Sequence, residues 1–157
     1  MFHRNIICWL AITLLASPSS IAHQTEHHND NTAHYLGNEA VLVVSENQKV
    51  LFDPFFHKDF GFYQKVPSAM RQSIFKGEAP FNNIDIIVIS HAHDDHFSAR
   101  DVLKYMLVHD SVQLVAPKQA VSQLEVLEGA DQLTGRLHPI ALAFGAAPVS
   151  LTVGEIQ

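Results

Sequence analysis

Cysteine is almost missing from this chain of 157 residues, and Cys8 stands alone in an apolar segment near the amino terminus. A disulfide within the chain is therefore excluded, and any metal site has to be built from histidine and carboxylate rather than thiolate. Long hydrophobic runs are missing as well. The apolar stretch at residues 6–16 falls short of the roughly 20 residues that a membrane span requires. Positive charge is the third shortage: Lys and Arg total 10 against 16 Asp and Glu, a net charge of −6. That balance argues against nucleic acid as a partner. It leaves a phosphodiester substrate open, because a bound cation would reverse the local sign. No internal repeat is evident. What the chain does have is histidine, 11 of them, and an apolar content of 47%, enough for one packed domain.

Residues 1–22 read as a secretory signal. Arg4 and the amino terminus give a short positive region, residues 6–16 an apolar core, and Ser20-Ile21-Ala22 the small residues that cleavage needs. Cleavage after Ala22 would remove Cys8 and leave no stable membrane span, so the expected location is periplasmic or secreted. Residues 23–34 are polar and His-rich without periodicity, and read as a flexible leader.

One stretch organises the rest. Ile86-Ile87-Val88-Ile89 is a β-branched run with no polar face, the pattern of a strand buried on both sides. It ends abruptly in Ser90-His91-Ala92-His93-Asp94-Asp95-His96. His91 and His93 are two apart, so on an extended backbone their rings point the same way and can converge on one ion. Asp95 and His96 follow across a turn and are aimed elsewhere, at a second ion. Ser98 then opens a helix with Val102, Leu103, Met106 and Leu107 on one face. The spacing is unlikely by chance, on the order of a few in a thousand chains of this composition.

Around this centre the pattern is α/β. Residues 40–44 and 50–52 predict a hairpin, closed by Asp53 and Pro54. Phe55, Phe56, Phe60, Phe62 and Tyr63 crowd the next connection, either as the wall of a pocket or as core under a long loop. Residues 67–76 predict a helix stopped by Gly77, residues 112–116 a buried strand, and residues 117–127 a second helix with proline in its first turn. Residues 149–153 alternate as a half-buried strand, with a hairpin turn at 154–157 entering one more.

His91-Ala92-His93-Asp94-Asp95-His96 resembles the His-x-His-x-Asp-His signature of the metallo-β-lactamase superfamily, and Lys49-Val50-Leu51-Phe52-Asp53-Pro54 is similar to its earlier strand-Asp motif. The resemblance runs from about Tyr35 to the end of the chain. The Asp-Pro step brings it closer to the branch of sugar-phosphate lactonases and N-acylphosphatidylethanolamine phospholipase D than to the antibiotic-hydrolysing branch. It implies an αββα sandwich with one or two zinc ions at the sheet edges, and metal-dependent hydrolysis of an ester or lactone, phosphodiester or related bond in a small-molecule substrate. It further implies His91 and His93 on the first ion and His96 on the second. Asp95 would ligate the second ion and orient the nucleophile or shuttle its proton. Asp53 would sit beneath the metal loop, bonded to its backbone or to a ligand histidine. Without the resemblance, Asp53 could simply terminate a strand.

The family's later ligands have no counterpart after His96. His109 falls at a helix end and His138 lies in Leu137-His138-Pro139. Residues 35–157 therefore read as the N-terminal half of the sandwich, a mixed sheet with flanking helices, truncated at its C-terminus. Such a half would expose an apolar sheet face, and self-association that places two halves together would relieve it. A non-catalytic metal-binding remnant is the alternative function.

Overall fold

Valine, isoleucine and leucine build the sheet. The computed structural model describes residues 31–143, 145–154 and 156, so the signal reading and most of the His-rich leader lie outside the described residues. Six strands, β1 (Thr32–Gly37), β2 (Ala40–Ser45), β3 (Gln48–Phe52), β4 (Ile86–Val88), β5 (Gln113–Pro117) and β6 (Leu137–Ile140), form one sheet in chain order. The first three pair antiparallel as tight hairpins, and β3 to β6 run parallel. Parallel neighbours need crossovers, here provided by α1 (Ser68–Lys76), α2 (Ala99–Val108) and α3 (Lys118–Glu125), with a 3-10 turn at Ala130–Leu133 before β6. This is the α/β mixed sheet with flanking helices that the sequence predicts.

The register separates two faces. Leu42, Leu51, Ile87 and Leu114 lie abreast across β2 to β5 and are fully buried. They belong to one core with Ile74 of α1, Val102 and Met106 of α2, and Val121 and Leu124 of α3. The opposite row, Val41, Phe52, Val88 and Val115, is only half-buried. Helix ends follow local chemistry. Gly77 takes φ 64° and closes α1 by donating to the Ile74 carbonyl, a left-handed cap that glycine adopts at little cost. Arg136 reaches under α2, donating to the carbonyls of Met106, His109 and Val112.

Four details differ from the sequence reading. β1 begins at Thr32, inside the segment read as leader, because pairing with β2 recruits polar residues that have no periodicity of their own. β6 was not foreseen. Residues 149–153 form no strand, and an isolated bridge between Val153 and Ile156 stands where the further hairpin was expected. The crowded aromatics divide: Phe55 and Phe56 are core, Phe55 stacking on Phe75 at 4.7 Å, whereas Phe60, Phe62 and Tyr63 are exposed.

Candidate metal centre

β4 stops at Val88, and the chain then bends instead of staying extended. Ile89 still donates to the Val115 carbonyl at 2.9 Å, the last tie to the sheet. Residues 90–98 form a loop at the carboxyl end of the strand, closed by a turn in which the His96 and Phe97 amides both donate to the His93 carbonyl. The carboxyl ends of parallel strands are where α/β folds assemble their sites, since the connections there converge above the sheet edge.

Asp53 holds this loop from below. It directly follows β3 with φ 38°, a left-handed backbone that few residues other than glycine adopt and that aspartate tolerates. Its amide donates to the Val88 carbonyl at 3.0 Å, so the strained residue is fixed against β4. Its carboxylate, 2% exposed, accepts from the Ser90 amide at 2.8 Å, the Ser90 hydroxyl at 2.5 Å and His96 Nδ1 at 2.9 Å. A carboxylate can only accept, so His96 donates from Nδ1, and Nε2 is the ring nitrogen not engaged by Asp53. Ser90 is a junction as well: its oxygen lies 3.1 Å from both His91 Nδ1 and His96 Nδ1.

The loop is also held from the side. Asn38, in the β1–β2 turn, donates to the Asp95 carbonyl at 2.9 Å. The amides of His57 and Lys58 donate to the Asp94 carbonyl, and Lys58 Nζ pairs with the Asp94 carboxylate at 2.5 Å. That ion pair, its hydrogen bond first and its charge second, holds the Asp94 carboxyl below its usual range. Further along the same connection, His57 and Arg71 both reach Asp101 in the first turn of α2.

The outcome, among the described residues, is one group of three. His91, Asp95 and His96 each present a ligand atom, and the three atoms lie within 4.8 Å of one another. Ligands about 2.1 Å from a tetrahedral ion are about 3.4 Å apart. His96 Nε2 and Asp95 Oδ2 are already at 3.7 Å. The His91 and His96 rings are 3.7 Å apart between centroids, while His93 lies edge-on to His91 at 4.7 Å and outside the group. Asp95 and His96 stay together as expected, and His91 joins them instead of pairing with His93 alone on a separate ion. The argument for that pairing needs an extended backbone, and the bend after Ile89 removes it. Burial, then the neighbouring His96 and His93, hold the His91 imidazole below its ordinary pKa, against the pull of Asp53 and Asp95. Neutral imidazole is the form that binds a cation.

Two nitrogens and a carboxylate oxygen make a donor set of the kind that holds zinc or a similar divalent ion. His96, turned by a buried carboxylate, is the kind of oriented ligand such sites use. The residues present fit a metal. Sequence reasoning missed Ser90, Asn38 and Lys58. Only Ser90 carried a signal, as the hydroxyl between a buried strand and the first histidine.

A search of curated proteins returned no match. The sequence model described as β-lactamase superfamily domain matches residues 32–149, which takes in all six strands, the three helices and every residue of the cluster. With most of its length covered by that model, this chain belongs to the β-lactamase superfamily.

Proposed function

We propose that the chain is a metal-dependent hydrolase acting on an ester or lactone, a phosphodiester or a related bond, with zinc as its metal. One observation carries the reading: His91, Asp95 and His96 gather at a strand end, with His96 Nδ1 committed to the buried Asp53 and Nε2 not engaged by it. His96 Nε2, a ring nitrogen of His91 and the Asp95 carboxylate would hold the ion, and His93 stands beside His91 as a further ligand for one or two ions. When bound, such an ion supplies Lewis acidity toward a carbonyl or phosphoryl oxygen and lowers the pKa of a water molecule.

The chain's own residues do the rest. Asp53 and Ser90 fix the direction of His96 before any ligand arrives. Asn38 pins the Asp95 backbone, which sets where its carboxylate points. Asp95 is the catalytic residue of this proposal: its carboxylate orients the attacking water and takes up its proton. The secretory reading of residues 1–22 would place this chemistry in the periplasm or outside the cell.

The test pairs zinc titration with a hydrolysis screen over lactone, phosphodiester, thioester and ester substrates. His91→Ala and Asp95→Asn should abolish turnover, and deletion of residues 23–30, ahead of β1, should leave it intact. Zinc binding without turnover, lost on that deletion, would replace the hydrolase with a metal-holding protein.

A further inference from the structure

A second site opens beside the metal cluster. The carboxyl ends of β4, β5 and β6 and the start of α3 enclose a groove of about 840 Å³, within the ordinary size of small-molecule sites, roughly 300–1,000 Å³. Its walls are mostly apolar, with Ile89, Val115, Ile140 and Leu142 among them, and Gln119 and Ser122 add polar groups. Ser90 is part of its lining, and its hydroxyl touches both His91 and His96. Lys118 also lines it, the one charged side chain among the described lining residues and, among the described residues, without an ion pair.

An apolar trough with a single unneutralised ammonium discriminates by shape and by sign. A purely aliphatic molecule would leave Lys118 unused. A small inorganic anion would leave the apolar wall wet. A cation would be repelled. Among the described residues no side chain caps α3 either, so the amides of its first turn add to the field of Lys118. We infer that this groove binds a single soluble amphiphilic anion, a short aliphatic chain bearing a phosphate or carboxylate head, with the head on Lys118 and the chain along Val115, Ile140 and Leu142. The inference stands apart from the hydrolase reading, because the groove needs no metal. If both hold, the groove selects which substrates reach the cluster through Ser90.

The test uses the full chain and calorimetric titration with octyl phosphate, octanoate, octanol and inorganic phosphate, each with zinc and with EDTA. Both amphiphilic anions should bind about tenfold more tightly than octanol or inorganic phosphate, with or without metal. Lys118→Gln should remove most of that preference and Lys118→Arg should keep it; Lys118 is exposed, so neither change threatens folding. Leu142→Glu, at an exposed position, should weaken both anions by adding a like charge to the wall. Equal binding of octanol and octyl phosphate, or an unchanged affinity in Lys118→Gln, would overturn the assignment. Binding that vanishes in EDTA would move the anion onto the metal and overturn it equally, while leaving the hydrolase proposal standing.

Discussion

Two of the ties on the histidine loop work by opposite means. Beneath it, Asp53 is 2% exposed and takes three hydrogen bonds from Ser90 and His96. Beside it, Lys58 and Asp94 form an ion pair with side chains 58% and 63% exposed. The second tie is two opposite charges facing each other in water. The first is the one that can set geometry, because in a dry site a polar group with no partner is far more costly than in solvent. Contact distance alone ranks the two ties alike. Burial separates them.

Removing the lower tie should have the largest effect. Asp53→Ala removes the common acceptor of the Ser90 amide, the Ser90 hydroxyl and His96 Nδ1, and each hydrogen bond to a charged group that is lost costs about 1.5–3 kcal/mol. The same change should lower zinc affinity about 10- to 100-fold, the usual toll of losing a partner behind a ligand histidine. Chemical denaturation and a competitive zinc titration check the two halves. Asp53→Asn, which keeps the volume and one acceptor, should fall between. An alanine variant that binds zinc like the wild type would break the comparison at its root.

Next comes Asp101, a tie of intermediate exposure. Its side chain is 18% exposed and accepts from Arg71 Nη2 at 2.5 Å and from His57 Nε2 at 2.6 Å. Burial alone would raise its pKa, but the Arg71 hydrogen bond and charge, with His57, outweigh it and leave the carboxyl lowered. A depressed carboxylate stabilises the fold above its unfolded value of 3.8 and loses that contribution as pH falls through the lower folded value. Asp101→Asn should therefore cost about 1.5–3 kcal/mol near neutral pH. The difference from wild type should shrink below about pH 4. A gap between the two denaturation curves that persists at pH 2 would show that charge is not what Asp101 contributes.

How much of this was legible beforehand depends on periodicity. β2 to β5 and all three helices announce themselves by alternation or by apolar spacing, and Gly77 by its chemistry. β1 does not, because Thr32, His34 and Tyr35 are held by their partners across the hairpin rather than by an apolar pattern. β6 hides behind Pro139, a residue that argues against a strand unless the strand is an edge, which β6 is among the described residues. Residues 149–153 have the alternation of a strand but no neighbouring strand to pair with among the described residues. Within the site, the residue types were visible and their grouping was not: a two-residue period says where His93 points only while the chain stays extended. The bond from Asp53 to His96 spans 43 positions. No local pattern encodes such a distance, and only the family resemblance pointed there.

Ser90 tests whether the lower tie is one bond or a network. Ser90→Ala keeps its amide on Asp53 and removes the hydroxyl that touches Asp53, His91 and His96. A loss of about 1 kcal/mol is expected, that of an ordinary hydrogen bond. Zinc affinity should drop less than in Asp53→Ala, since His96 Nδ1 retains its carboxylate. An effect equal to that of Asp53→Ala would make the serine, not the aspartate, the centre of the arrangement.

Lys58→Ala is the smallest change and the sharpest control. The pair with Asp94 is well aligned, and it raises the Lys58 pKa while lowering that of Asp94. Both groups, however, keep their contact with water, and exposed ion pairs gain little once solvent and side-chain entropy are counted. The loop would also retain the two amide bonds from His57 and Lys58 to the Asp94 carbonyl, because those belong to the backbone. Unfolding midpoint and zinc affinity should therefore stay within error of wild type, and added salt should erase any residue of a difference. If Lys58→Ala instead weakened zinc binding as much as Asp53→Ala, solvent exposure would have no bearing on which tie positions the ligands, and the ranking by burial would have to be abandoned.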